Sequence, residues 1–163
     1  MYKLLLDADA LIKFASCGAL PKICEVCICI TTPEVERETV YEGKKKLYPD
    51  AEIIEALIEK QSIKIKKCLG TAEETFSLDA GETSILHLSK EIKDYLIVSD
   101  DQAFIKELER QEIHFLVPAD LLILLTRTEE IEPKEMVNYA EKLKGYIREK
   151  DYIKLKKEIG GLK

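Results

Sequence analysis

Apolar residues alternate between short continuous runs and helix-spaced stripes along this chain. Leu4, Leu5 and Leu6 form a run bounded by Asp7, the pattern of a strand buried on both faces of a parallel sheet. Ala10, Leu11, Ile12 and Phe14 begin a helix behind it, which Gly18 stops before Pro21 opens a short turn. Val26 to Ile30 reads as the second strand. Thr31 or Thr32 can then cap a helix whose first position is Pro33, carrying Val35, Glu38 and Thr39 and fraying at Gly43. Pro49 and Asp50 start the next helix, with Ile53, Ile54, Leu57 and Ile58 at helical spacing. Ser62 to Lys67 alternates Ile63 and Ile65 with lysines, which predicts a half-exposed edge strand.

The loop CLGTAEETFSLDAG follows, and its Asp79 can cap a helix from about Ala80 to Lys93 with Ile85, Leu88, Ser89 and Ile92 in one stripe. Tyr95 to Val98 is a further buried strand, Ala103 to Gln111 its helix, and Ile113 to Val117 a last short strand. Pro118 opens a strongly apolar helix containing Leu121, Leu122, Leu124 and Leu125. This alternation predicts an α/β fold, a three-layer α/β/α sandwich around a mainly parallel sheet of four or five strands. The composition shifts at Glu129 to Pro133, dividing the chain into a domain at 1–128 and a helical extension at 129–163. Met136, Tyr139, Ala140, Leu143 and Ile147 share one side of that extension, which is expected to pack on its own domain or on a partner, with Gly160 to Lys163 fraying.

Length and composition narrow the class. A chain of 163 residues is the size of one ordinary domain, and 46% hydrophobic with 34% charged residues describes a soluble globular protein. No apolar run approaches the roughly eighteen residues of a membrane span, and the N-terminal stretch lacks the basic region and length of a secretory signal, so cytoplasmic location is expected. A net charge of −6 argues against coating nucleic acid by bulk attraction, but clustered carboxylates that hold cations would account for much of it. Cys17, Cys24, Cys27, Cys29 and Cys68 are odd in number and irregularly spaced. Cys24 and Cys27 form a C-x-x-C without the second pair of a zinc ribbon, and the stronger reading is of buried thiols acting as small apolar groups. A bridge such as Cys17 with Cys24 stays open.

The candidate chemistry is acidic. Asp7 and Asp9 end the first strand, and the segment YLIVSDDQAF repeats that grammar with Ser99, Asp100, Asp101 and the anchor Phe104. In an open parallel sheet the carboxyl ends of the strands open onto the ligand crevice. Glu38 in TTPEVERETV and Glu82 in SLDAGETSIL come from helix-like stretches, and Glu82 should reach the same end of the sheet if its crossover is right-handed. Four carboxylates from four segments suit Mg2+ or Mn2+, hard cations that prefer oxygen. Two such ions about 3.5 to 4 Å apart activate water and stabilise a leaving oxygen in phosphodiester hydrolysis, with no His, Ser or Cys nucleophile.

Each acid has a plainer reading. An Asp at a strand-to-helix junction is most often a cap, which is clearest for Asp79 and open for Asp100. Glu82 could be a first-turn dipole partner and Glu38 a surface acid. Glu36 competes with Glu38, and only the spacing from Pro33 selects the latter. Lys44, Lys45 and Lys46, like Lys64, Lys66 and Lys67, are either phosphate contacts or solvated edges.

Taken in order, these segments resemble the PIN-domain family of metal-dependent ribonucleases, which includes the toxins of many toxin–antitoxin pairs. The matching residues are Asp7-Ala8-Asp9 before an aliphatic helix, Pro33, Val35 and Glu38, Gly81-Glu82, and Ser99-x-Asp101-x-x-Phe104, spanning roughly Met1 to Leu125. Asp9 and Asp100 stand where the family more often has Asn or Ser, and Asn. The resemblance implies that Asp7, Glu38, Glu82 and Asp101 hold Mg2+ or Mn2+, with Asp9, Ser99, Asp100 and Asp79 secondary. It implies single-strand endoribonuclease cleavage leaving a 5′-phosphate and a 3′-hydroxyl, a homodimer, and an antitoxin protein as a possible partner.

Two other functions fit parts of the pattern. A haloacid-dehalogenase-like phosphatase would use Asp7 as phosphoryl acceptor and Asp9 as acid/base, but no Gly-Thr follows Asp9 and Glu38 and Glu82 would be unexplained. A catalytically silent PIN fold that binds RNA or builds an assembly would not need all four acids.

Overall fold

The computed structural model describes residues 1–70 and 77–162; residues 71–76 of the expected loop, and Lys163 of the expected frayed end, lie outside the described residues. The chain forms β1 (Lys3–Leu6), α1 (Ala8–Cys17), α2 (Leu20–Val26), β2 (Ile28–Thr31), α3 (Pro33–Glu36), a π-helical segment (Arg37–Glu42), α4 (Gly43–Lys45) and α5 (Pro49–Glu59). It continues with β3 (Ile63–Ile65), α6 (Ala80–Glu91), β4 (Leu96–Val98), α7 (Gln102–Arg110), β5 (Phe115–Leu116), α8 (Pro118–Arg127), α9 (Pro133–Leu143) and α10 (Glu149–Gly161).

The strands make one five-stranded sheet in the order β3-β2-β1-β4-β5, parallel throughout, with helices over both faces. β1 is central. Its Leu4, Leu5 and Leu6 are fully buried, each worth roughly 1.5–3 kcal/mol relative to exposure. The lysine-bearing β3 lies at an edge, as its alternation predicts. The register decides where chemistry can occur: Leu6 sits opposite Val98, so Asp7 and Ser99 leave their strands side by side. The Asp7 N–H donates to the Val98 carbonyl at 3.3 Å and the Ser99 N–H to the Leu116 carbonyl at 3.1 Å, which extends the ladder to the sheet edge.

Several boundaries depart from the sequence pattern. Val26 is helical and Cys27 caps α2 in extended conformation, so β2 starts two residues later than the apolar run suggests. Apolarity alone does not separate a buried helix end from a strand. Pro21 stands near the start of a full helix, α2, rather than a turn, and α1 begins at Ala8 because the Asp7 side chain caps it. Gly43 does not fray its helix; the chain passes through the π-helical segment into α4, and Gly43 packs against Ala51 of α5. The last strand shrinks to Phe115–Leu116, α6 stops at Glu91, and α10 keeps Gly160 and Gly161 helical. All five cysteines are free thiols, with Cys17, Cys27 and Cys29 buried. Among the described residues no helix is long and apolar enough to cross a membrane.

The C-terminal helices share the core of the sheet domain. α9 packs on α1 and α8, and α10 on α8 and α9, burying Met136, Ala140, Leu143 and Leu155. Met136→Ala should therefore lose about 2–5 kcal/mol in urea unfolding, the range for emptying a packed core site, and a loss below about 0.5 kcal/mol would show that α9 rests loosely on the domain.

Candidate active site

Three carboxylates reach the sheet edge by capping helices. Asp7 caps α1, its Oδ1 accepting from the Ala10 N–H at 2.8 Å, and Asp101 caps α7, accepting from the Phe104 N–H at 2.9 Å. Asp79 caps α6 in a reciprocal box: it accepts from the Glu82 N–H at 2.8 Å, and Glu82 Oε2 accepts from the Asp79 N–H at 3.1 Å. Each cap occupies one carboxylate oxygen and places the group at the positive end of its helix. Ser99 ties the strand tips together, its Oγ accepting from the Asp101 N–H at 3.2 Å and its hydroxyl bonding to Asp7.

Glu38 arrives from the other side. Thr32 caps α3, and its hydroxyl lies 2.6 Å from Ser84 Oγ, which itself donates to the Gly81 carbonyl at 2.7 Å. This chain of hydroxyls locks α3 onto the first turn of α6. Glu38 then packs on Gly81 so closely that a Cβ there would stand 2.9 Å from Glu38 Oε2. The glycine is a cradle for the carboxylate.

A pocket of about 160 Å³ results, lined by Asp7, Asp9, Glu38, Asp79, Glu82 and Asp101 with Ala8 and Ile12. The four acids expected to converge do so. Asp9 stands on the rim, held by Lys13 at 2.9 Å. Asp79 is both the cap expected of it and part of the lining. Glu36 is outside the pocket lining, so geometry as well as spacing selects Glu38. Asp100 is turned away: it is buried and bound to Lys13 at 2.6 Å, with Arg148 at 3.6 Å. Lys44 and Lys45 pair with Glu55 and Glu42, while Lys46 acts electrostatically on Glu38. Lys13 and Arg148 were not singled out by the sequence pattern. Lys13 has a readable signal, four residues after Asp9 on one helix, and Arg148 has one towards Asp151 three residues on, but its approach to Asp100, 48 residues away, has none.

The electrostatics are those of crowded like charges, only partly offset by Lys13 on Asp9 and Lys46 acting on Glu38. Burial lifts the Asp7 carboxyl from its ordinary 3.8 to about 8, with Asp9 and Glu82 adding to the rise against the hydrogen bonds from Ser99 and Ala10. Burial also raises Glu82 to about 7, helped by the charges of Asp79 and Asp101 and by a side-chain hydrogen bond with Asp101. Glu38 shifts upward through burial and the charges of Asp79 and Asp9. No three His, Cys, Asp or Glu side chains among the described residues are preassembled as a metal shell. The donor set nevertheless fits a hard divalent cation: every polar lining group is a carboxylate, and together they hold protons where a cation would relieve the repulsion.

A family model described as a PIN domain matches residues 3–160. No curated protein and no solved structure matches the chain.

Asp7 also makes stability depend on pH. Its folded pKa lies above its unfolded value, so its favourable contribution is complete below about pH 4 and disappears as pH rises through about 8. In EDTA, Asp7→Asn should be more stable than the parent at pH 8 by an amount on the order of a few kcal/mol, and the difference should close towards pH 4. Thermal melts across that range check it; a constant difference would mean that Asp7 is not protonated in the fold.

Proposed function

This chain belongs to the PIN-domain family, a nuclease fold, and we propose that it is a metal-dependent endoribonuclease acting on single-stranded RNA. The observation that carries this reading is the meeting of Asp7, Glu38, Glu82 and Asp101, from four separate segments, in one carboxylate pocket at the carboxyl edge of the sheet. These four residues would hold Mg2+ or Mn2+, with Asp9 and Asp79 at the rim. When bound, such a cation supplies an activated water and charge stabilisation for a phosphodiester. Asp7 and Glu82 must give up their protons to ligate, so loading should strengthen as pH rises. Ser99 fixes Asp7 relative to Asp101, and the Thr32–Ser84–Gly81 chain fixes Glu38 relative to Glu82. These bonds supply the preorganisation that the chemistry needs.

The phosphatase reading is weaker because no Gly-Thr follows Asp9, and because Glu38 and Glu82, which share the pocket with Asp7, would have no part in it. A silent module would retain four mutually repelling carboxylates at a cost in stability with no return. The family resemblance further suggests a homodimer as assembly and an antitoxin protein as a possible partner.

Incubation of single-stranded RNA with the protein and Mn2+ should give endonucleolytic fragments, abolished by EDTA. Asp7→Asn and Asp101→Asn should each lower the rate by at least about a hundredfold while leaving the fold intact, since Asn removes a cation ligand but can still cap the helix. Intact RNA beside turnover of a phosphatase substrate would reverse the assignment. Gly81→Ala should separate the site from the fold. Its Cβ displaces the Glu38 carboxylate and weakens Mn2+ binding about tenfold or more by calorimetry, with stability unchanged or raised by up to about 1 kcal/mol.

A further inference from the structure

Beside the carboxylate pocket, and sharing Asp9 and Ile12 with it, a larger groove of about 520 Å³ opens along α1. Its floor is Asp9, Ile12, Lys13 and Ser16, one stripe at i, i+3, i+4 and i+7, so the groove leads away from the acids along the helix. Seven residues at 1.5 Å each give it about 10 Å of length, room for about three stacked nucleotides. α5 and α9 both pack on α1 and form the walls, with Tyr48 just before α5 and Lys142 and Tyr146 around the end of α9.

The two tyrosines set this groove apart from an ordinary surface hollow. Tyr48 is 51% and Tyr146 68% exposed, although large aromatic side chains usually bury their rings. We infer that the groove binds the nucleotides flanking the scissile phosphate of a single-stranded nucleic acid, with Tyr48 and Tyr146 as stacking platforms and Lys142 as a phosphate contact.

This inference rests on the nuclease reading for the occupant and on the groove for the mode. Lys13 is already held by Asp9 and Asp100, and Asp50 adds a negative charge to the lining, so the groove is not strongly cationic. Among the described residues Lys142 has no acidic partner at salt-bridge distance and stands beside the carboxyl-terminal end of α1, near Gly18. Bulk attraction therefore does not account for binding in a chain of net charge −6. Stacking can, because every base has a π-face and only an unpaired strand offers it to a side chain. The groove shares its Asp9 and Ile12 wall with the carboxylate pocket, so a strand lying along it leads towards the acids.

The test is fluorescence anisotropy with a labelled single-stranded RNA of about twelve nucleotides. Full-length protein carrying Asp7→Asn is titrated in Mg2+ so that the probe survives. Tyr48→Ala and Tyr146→Ala, each added to that background, should weaken binding about 5- to 100-fold, and Tyr→Phe at the same positions should restore it. Lys142→Ala should reduce the dependence of log affinity on log salt by about one unit. A duplex of the same sequence should bind more weakly and ignore the tyrosines. Unchanged RNA affinity in both alanine variants overturns the inference. So does a shift in oligomeric state by sedimentation with RNA binding intact, which would make the groove a protein interface. RNA binding that needs the tyrosines, with no cleavage under Mg2+ or Mn2+, would keep the groove and remove the nuclease. Cleavage at an unchanged KM in the tyrosine variants would keep the nuclease and remove the groove.

Discussion

Mutual repulsion among carboxylates is the constraint that the rest of this structure accommodates. Two unit charges 4 Å apart interact by about 4 kcal/mol at an effective dielectric of 20, and a whole domain is stable by only about 5–15 kcal/mol. Six acids around one small pocket cannot all stay ionised under those terms. The fold offsets the repulsion in three ways. Asp7, Asp79 and Asp101 sit at the positive ends of helices; Lys13 takes up Asp9; and Asp7 and Glu82 keep their protons into the neutral range. Capping and ligation are thus compatible duties of one side chain, because the cap uses a single oxygen.

Rigidity around the pocket comes from opposite sides. The parallel register of β1 with β4 sets Asp7 against Ser99, and the hydroxyl chain from Thr32 to Gly81 sets Glu38 against α6. Behind them runs an ionic line, buried at Asp100 and Asp151 and open to solvent at its ends: Lys13 bridges Asp9 and Asp100, Arg148 lies between Asp100 and Asp151, and Lys154 stands by Asp151 and Asp120. Removing Lys13 or Arg148 would leave a buried carboxylate with less of its counter-charge, which is more damaging than the loss of a surface pair. The helices after Pro133 are in this way joined to the acidic edge by charge as well as by packing.

Much of this was legible in the sequence, and the losses have physical reasons. Strands whose neighbours bury both faces announce themselves as apolar runs, so β1 and β4 and the acids after them could be placed. Asp7, Glu38, Glu82 and Asp101 could be brought together because a parallel sheet has only one carboxyl edge. Short elements were less clear, since Val26 and Cys27 are as apolar in a helix end as in a strand. Asp100 and Asp101 are adjacent and chemically equal, and only the direction of the chain leaving β4 sends one into the ionic line and the other into the pocket. Tyr48 and Tyr146 lie almost a hundred residues apart with no periodicity to join them, so their common groove became visible only through the packing of α5 and α9 on α1.

The π-helical segment from Arg37 to Glu42 links the acidic edge to that groove. A π turn holds about one residue more than an α turn, and such wide turns recur at functional sites. Glu38 lies at its beginning and Tyr48 a few residues beyond its end. Loss of one residue within the segment would let it relax to ordinary α geometry with the downstream chain nearly in phase, because the residue removed is the one by which a π turn exceeds an α turn. Chain length is therefore tolerant at this point: a one-codon deletion here would be absorbed by the wide turn, disturbing the seat of Glu38 within it while leaving the aromatic wall beyond in place.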